Sequence, residues 1–155
     1  TNAPPRTKLI YAGSGPQKNE LQQRIELLGL TNRVVVTRFP YDEMHAAYNL
    51  ADAFILASAP RQGWLEQFGY VLPEALASGL PIITTHSGSI PEVVGDCAIL
   101  TPPADFVALA DAMQRILNEK NLRADLSAKG RQRAEAEFDC KSNAQRIEQL
   151  YHGVL

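Results

Sequence analysis

Apolar residues fall along this chain in short runs, separated by stretches where they recur every three or four positions. Five runs predict strands: 9–12 (LIYA), 34–36 (VVV), 53–57 (AFILA), 82–85 (IITT) and 98–100 (AIL). Each is apolar or β-branched at successive positions, as in strands covered on both faces of a parallel sheet. Between them, 18–28, 41–49, 70–78 and 106–117 read as helices. Leu21, Ile25 and Leu28 share one helical face, and Gly29 follows as a stop; Gly79 ends the 70–78 segment in the same way.

Strand–helix alternation with short connections predicts a doubly wound parallel α/β sheet. After Leu100 two or three consecutive helices follow, including the run KGRQRAEAEF, whose mixed charges read as a solvated helix face. With no internal repeat and no low-complexity linker, residues 1–155 read as one domain.

Ligands of such sheets sit beyond the carboxyl ends of the strands. The less ordinary residues cluster in the loops expected there: GSGP (13–16), TRFP (37–40), SAPRQGWLEQFG (58–69) and HSGSIPE (86–92). In the third loop, Phe68 and Gly69 lead into a helix starting near Tyr70, and Pro73 fits only in its first turn, where a missing N–H costs nothing. The first amides of a helix lack internal partners and carry the positive end of its dipole, so this turn predicts an anion site suited to a diphosphate. Glu66 and Glu74 bracket it. A carboxylate is repelled by phosphate, so each is better used accepting hydrogen bonds from hydroxyls on either side, one from a ribose and one from a transferred sugar. Spacing alone reads equally well with Glu74 stabilising the first turn of its helix and Glu66 merely solvated.

Composition narrows the partners. The chain is 45% hydrophobic and 21% charged, with a formal net charge of -2, which leaves no electrostatic footprint for nucleic acid or an anionic membrane. No apolar run approaches the roughly 18 residues of a bilayer span, and the opening TNAPPRTK has no signal-peptide core, so no integral membrane segment and a cytoplasmic location are expected. Cys97 and Cys140 are too few for a disulfide framework and read as reduced thiols. Of the histidines, His45 reads as helix surface and His152 as near-terminal; only His86 falls in a ligand-side loop. No His, Cys or carboxylate set has metal-ligand spacing, so neither a metal nor another cofactor is expected. Trp64, an aromatic in a polar loop, reads as lining the cleft or capping the loop, with the cleft favoured.

The segment EQFGYVLPEALASGLPII resembles the E-x7-E signature of the large retaining, nucleotide-sugar-dependent glycosyltransferase family of GT-B fold (group 1, or family 4). KLIYAGSGP is similar to that family's strand and glycine turn, VVVTRFPYDEMHAAYNLADAFILAS to its base-binding segment, and SGSIPEVVGDCAILTPPAD to its Pro-Glu loop and following strand. Together, and in this order, these pieces identify the chain as similar to the C-terminal, donor-binding domain. The resemblance implies that Glu66 contacts the donor sugar's hydroxyls and acts in catalysis, and that Phe68, Gly69 and Tyr70 offer backbone amides to the diphosphate. It further implies that Glu74 holds the ribose hydroxyls, and that Phe39, with Arg38 beside it, meets the nucleobase; read from its position alone, Phe39 is otherwise a core aromatic at a strand end.

The chain also departs from the family's pattern. The family opens this domain with a strand, a Gly-Arg turn and a downstream Lys-Gly, whereas Thr1–Lys8 runs directly into what resembles the second strand. Ser87-Gly88-Ser89 stands where the family has a glycine pair. The resemblance therefore predicts a fragment lacking the first strand and an N-terminal acceptor-binding domain, inactive by itself, with unpaired backbone where the first strand normally runs. Two other readings are compatible with an α/β chain: a GT-B-fold nucleotide-sugar epimerase, and a noncatalytic flavodoxin-like binding module.

Overall fold

The computed structural model describes residues 6–61 and 63–154. Its elements run β1 (Leu9–Ala12), α1 (Lys18–Leu27), β2 (Val34–Thr37), a 3-10 turn (Tyr41–Glu43), α2 (Met44–Asn49), β3 (Phe54–Leu56) and α3 (Val71–Ala77). They continue with β4 (Ile82–Thr85), α4 (Ile90–Val94), β5 (Ala98–Thr101), α5 (Phe106–Asn118), α6 (Lys120–Glu137) and α7 (Cys140–Val154). All strand pairings are parallel, as the alternation with helices predicts. The chain divides into two compact units, Thr1–Ala47 and Tyr48–Leu155. Of the lead-in Thr1–Lys8, the first five residues lie outside the described ones, as does Leu155 at the far end of the expected domain.

Within this parallel α/β arrangement the hydrogen-bonded strands fall into two groups: β1 with β2, and β4 between β3 and β5. Apolar runs mark strands but carry no information on which edges pair, and among the described residues the other edges of β1 and β3 have no strand partner. Two-faced coverage holds fully only for β4, which is buried at every position and has a strand on either side. In β1, Ile10 and Tyr11 are 45% and 44% exposed: among the described residues β2 is the strand's one sheet neighbour, and α1 packs against β2.

Two further expectations are corrected. The 41–49 segment begins as a 3-10 turn after Pro40, whose fixed φ of -56° starts the turn, and becomes α-helical only at Met44. HSGSIPE does not remain a loop: Ile90–Val94 is helical, with Pro91 in its first turn, where no amide is needed.

The core of the second unit lies where α3 and α4 pack on β4 and where Ala112 and Ile116 of α5 and Leu126 of α6 cluster with Ile83. Leu72, Leu76, Ile82, Ile90 and Val94 are fully buried. Each such side chain contributes roughly 1.5–3 kcal/mol relative to exposure. α6 approaches α3 so closely that a Cβ on Gly130 would lie 2.8 Å from Leu76 Cδ2. This contact fixes α3, and with it the loop that precedes it.

Candidate functional site

α3 starts where Gly69 turns the chain. Gly69 has φ +70°, and its backbone lies against Leu56, Glu66 and Leu72, so a side chain there is strained and crowded. The Leu72 amide donates to the Gly69 carbonyl at 2.8 Å, closing the turn 69–72, and Pro73 follows in the first turn of α3. The amides of Phe68, Gly69 and Tyr70 donate to no protein acceptor among the described residues. The Phe68 ring packs 5.2 Å from Tyr70 and edge-on to Phe138 at 5.9 Å, which ties this turn to the end of α6.

The other end of α3 is closed. Gly79 and Leu80 donate their amides to the Leu76 and Ala75 carbonyls at 2.9 and 3.0 Å, the double closure of a glycine-terminated helix. Ser78 Oγ donates to the Glu74 carbonyl at 2.9 Å, Ser127 Oγ to the Gly79 carbonyl at 2.6 Å, and Arg131 to the Ala77 carbonyl. Protein donors thus occupy the negative end of the helix, while amides 68–70, which lead into its positive end, have no protein acceptor among the described residues.

Both glutamates are half-buried and held. Ser58 Oγ donates to Glu66 Oε2 at 3.3 Å, and the Ser58 carbonyl accepts in turn from Thr85 Oγ1. The Ser89 amide donates to the Glu66 carbonyl at 3.0 Å. Tyr48 Oη donates to Glu74 Oε2 at 2.7 Å. Burial first, then the hydrogen bond and charge of Glu74, push the Tyr48 phenol well above its ordinary value of 10.0, so it remains protonated.

Beside Glu66 lies a cleft of about 570 Å³, lined by Arg61, Trp64, Leu65, Glu66, Gly88 and Ser89. Trp64 faces this cleft and is half exposed, at 51%. Its turn is pinned by mutual backbone bonds between Arg61 and Trp64 at 2.9 and 3.1 Å.

The structure therefore gathers Glu66, Phe68, Gly69, Tyr70 and Glu74 around the open end of α3. Arg38, exposed, and Phe39, half-buried, directly follow β2 in the first unit, at the carboxyl end of that strand. His45, His86 and His152 are exposed. The residues that hold the glutamates, Tyr48 and Ser58, were not singled out by sequence reasoning. Ser58 opens the loop that carries Glu66, which is a usable signal; Tyr48 carries none, since its partner lies 26 positions away. Among the described residues no group of three or more His, Cys, Asp or Glu could hold a metal ion, and no helix is long and apolar enough to cross a membrane.

The chain is 29% identical over 150 residues to N-acetyl-alpha-D-glucosaminyl L-malate synthase of Bacillus anthracis, covering 96% of this chain and 38% of that protein. It is 30% identical over 154 residues to the GDP-mannose-dependent alpha-(1-6)-phosphatidylinositol monomannoside mannosyltransferase of Mycolicibacterium smegmatis, covering 96% of this chain and 40% of that one. Its backbone is similar to that of Anabaena Alr3699/HepE in complex with UDP-glucose, with a TM-score of 0.83, 26% identity, and 97% of this chain matched to 42% of that chain. Residues 2–133 match the profile described as glycosyl transferases group 1. On that match, which takes in most of its residues, this chain belongs to that family.

Proposed function

We propose that this chain is the donor-binding half of a retaining glycosyltransferase that moves a hexosyl group from a nucleotide diphosphate sugar to an acceptor. The observation that carries the reading is the polarity of α3: amides 68–70 without acceptors among the described residues at one end, carbonyls capped by Ser78, Ser127 and Arg131 at the other. A diphosphate set on these amides leaves Glu74 to accept from the ribose hydroxyls and Glu66 to accept from the sugar. Arg38 and Phe39 are assigned to the nucleobase, through the resemblance of their segment to the family's base-binding stretch.

In this mechanism the bond between the anomeric carbon and the diphosphate oxygen breaks as the acceptor hydroxyl oxygen bonds from the same face, and the hydroxyl proton passes to the departing diphosphate oxygen. The charge left on the diphosphate is stabilised by preoriented amides in place of a divalent cation. The acceptor is assigned to an N-terminal domain outside these residues; the chain spans 38% and 40% of the two relatives' lengths. Two unpaired thiols, Cys97 and Cys140, support a reducing compartment, and we assign the protein to the cytoplasm.

The test is a calorimetric screen of the protein at its full natural length against uridine, guanosine and adenosine diphosphate sugars, with and without a chelator. One donor class is expected to bind, chelator-independently, and to yield product that keeps the donor's anomeric configuration by NMR. Absence of binding to every donor, loss of turnover on chelation, or an inverted product overturns the corresponding part of the reading.

A further inference from the structure

We propose that Tyr48 is a positioning residue of the donor site: its phenol fixes one oxygen of the Glu74 carboxylate, so that the other stands ready for the ribose hydroxyls. The inference rests on the ribose assignment of Glu74. Tyr48 is next to last in α2, 5% exposed, and its ring meets that of Phe54 edge-on at 5.7 Å, at the start of β3. Its hydroxyl then reaches Glu74 Oε2 at 2.7 Å. Ring packing thus sets where the hydroxyl points, and the hydroxyl sets where the carboxylate points.

A half-buried glutamate on a helix otherwise samples several rotamers, and ordering it at the moment of binding weakens affinity. A buried tyrosine hydroxyl needs some partner, and a helix carbonyl would serve as well. Here it bonds the side chain of the residue placed against the ribose. The phenol remains a donor throughout the physiological range, so the pair presents one geometry to the ligand. One carboxylate oxygen is taken by Tyr48; the ribose diol is left to the free Oε1 and the remaining lone pair of Oε2.

Tyr48→Phe removes the hydroxyl and keeps the ring on Phe54. In the full-length protein, affinities are measured for whichever of uridine, guanosine or adenosine diphosphate binds most tightly, for its 2′,3′-dideoxy analogue, and for inorganic diphosphate. The same set is run on Glu74→Ala and on the double variant. The expected result is a loss of about 3- to 10-fold for the ribonucleotide in Tyr48→Phe, none for the dideoxy analogue or diphosphate, and no further loss when Tyr48→Phe is added to Glu74→Ala. Equal weakening of all three ligands, or an additive loss in the double variant, makes Tyr48 merely structural and overturns the proposal. An unchanged ribonucleotide affinity in Tyr48→Phe does the same while Glu74→Ala still discriminates against the ribonucleotide. Should Glu74→Ala itself fail to discriminate between ribo- and dideoxynucleotide, it is the ribose assignment that falls, and the positioning role with it. Because the ligand ratio is read within one folded sample, a drop in melting temperature leaves the test intact.

Discussion

Gly88 lies directly against the backbone of Glu66. A Cβ at position 88 would sit 1.9 Å from the Glu66 carbonyl oxygen, the same oxygen that accepts from the Ser89 amide at 3.0 Å. Gly88 also has φ +54°, so a side chain is disfavoured by conformation as well as by space. The turn Ser87-Gly88-Ser89 therefore retains its one indispensable glycine. Gly88→Ala must push the Glu66 backbone aside. Transfer is expected to fall about 100-fold, as for a misplacement near 1 Å, together with a lower melting temperature. Ser89→Ala, which keeps the amide, should leave both close to wild type; steady-state kinetics and a thermal melt of each variant decide it.

Glu74→Ala is expected to weaken nucleoside diphosphate binding about 10- to 150-fold, the loss of one charge-assisted hydrogen bond, and to spare inorganic diphosphate. Calorimetry with both ligands reads the difference directly. Equal losses would mean that Glu74 serves the phosphates or only the helix.

Glu66→Gln keeps the shape of the side chain and removes its charge. Turnover is expected to drop at least 10-fold while free nucleoside diphosphate binds within about 2-fold of wild type, since the lost partner is sugar and not nucleotide. A variant with undiminished kcat would return Glu66 to a solvated loop residue.

The two thiols differ in a way that alkylation can read. Cys97 is 3% exposed; burial first, then the neighbouring Asp96, raises its pKa, which lowers the reactive thiolate fraction at any pH below that value. Cys140 is exposed at the start of α7. At pH 8 iodoacetamide should label Cys140 within minutes and Cys97 only when the protein unfolds, as mass spectrometry of peptides will show.

Legibility from the sequence tracked how local each interaction is. β1 and β4 lie where the apolar runs LIYA and IITT place them, and Gly29 and Gly79 end their helices, because those signals reside within a few consecutive residues. The glycine turn that leads into α3 was readable for the same reason, through Gly69 and Pro73. Pairing was not: the division between β1–β2 and β3–β4–β5 depends on contacts across the chain. Nor was the partner of Glu74, since the Tyr48–Glu74 bond spans 26 positions. The helix at Ile90–Val94 was hidden by Pro91, a residue that usually ends helices and here begins one.

The exposure of β1 has a kinetic meaning. A parallel pair of four-residue strands is marginal without covered faces, and among the described residues up to Ala47 only Ile25 is buried. Opening of that pair then costs far less than opening of β4, which lies between two strands beneath fully buried Leu72 and Leu76. In deuterium, amides of Ile10 to Ala12 should exchange orders of magnitude sooner than those of Ile83 and Thr84. A protease added under native conditions should trim inward from the first unit and leave a resistant remnant beginning near Tyr48. The chain would thus come apart in order, with the segment around Arg38 and Phe39 loosening long before the helix that carries Glu74.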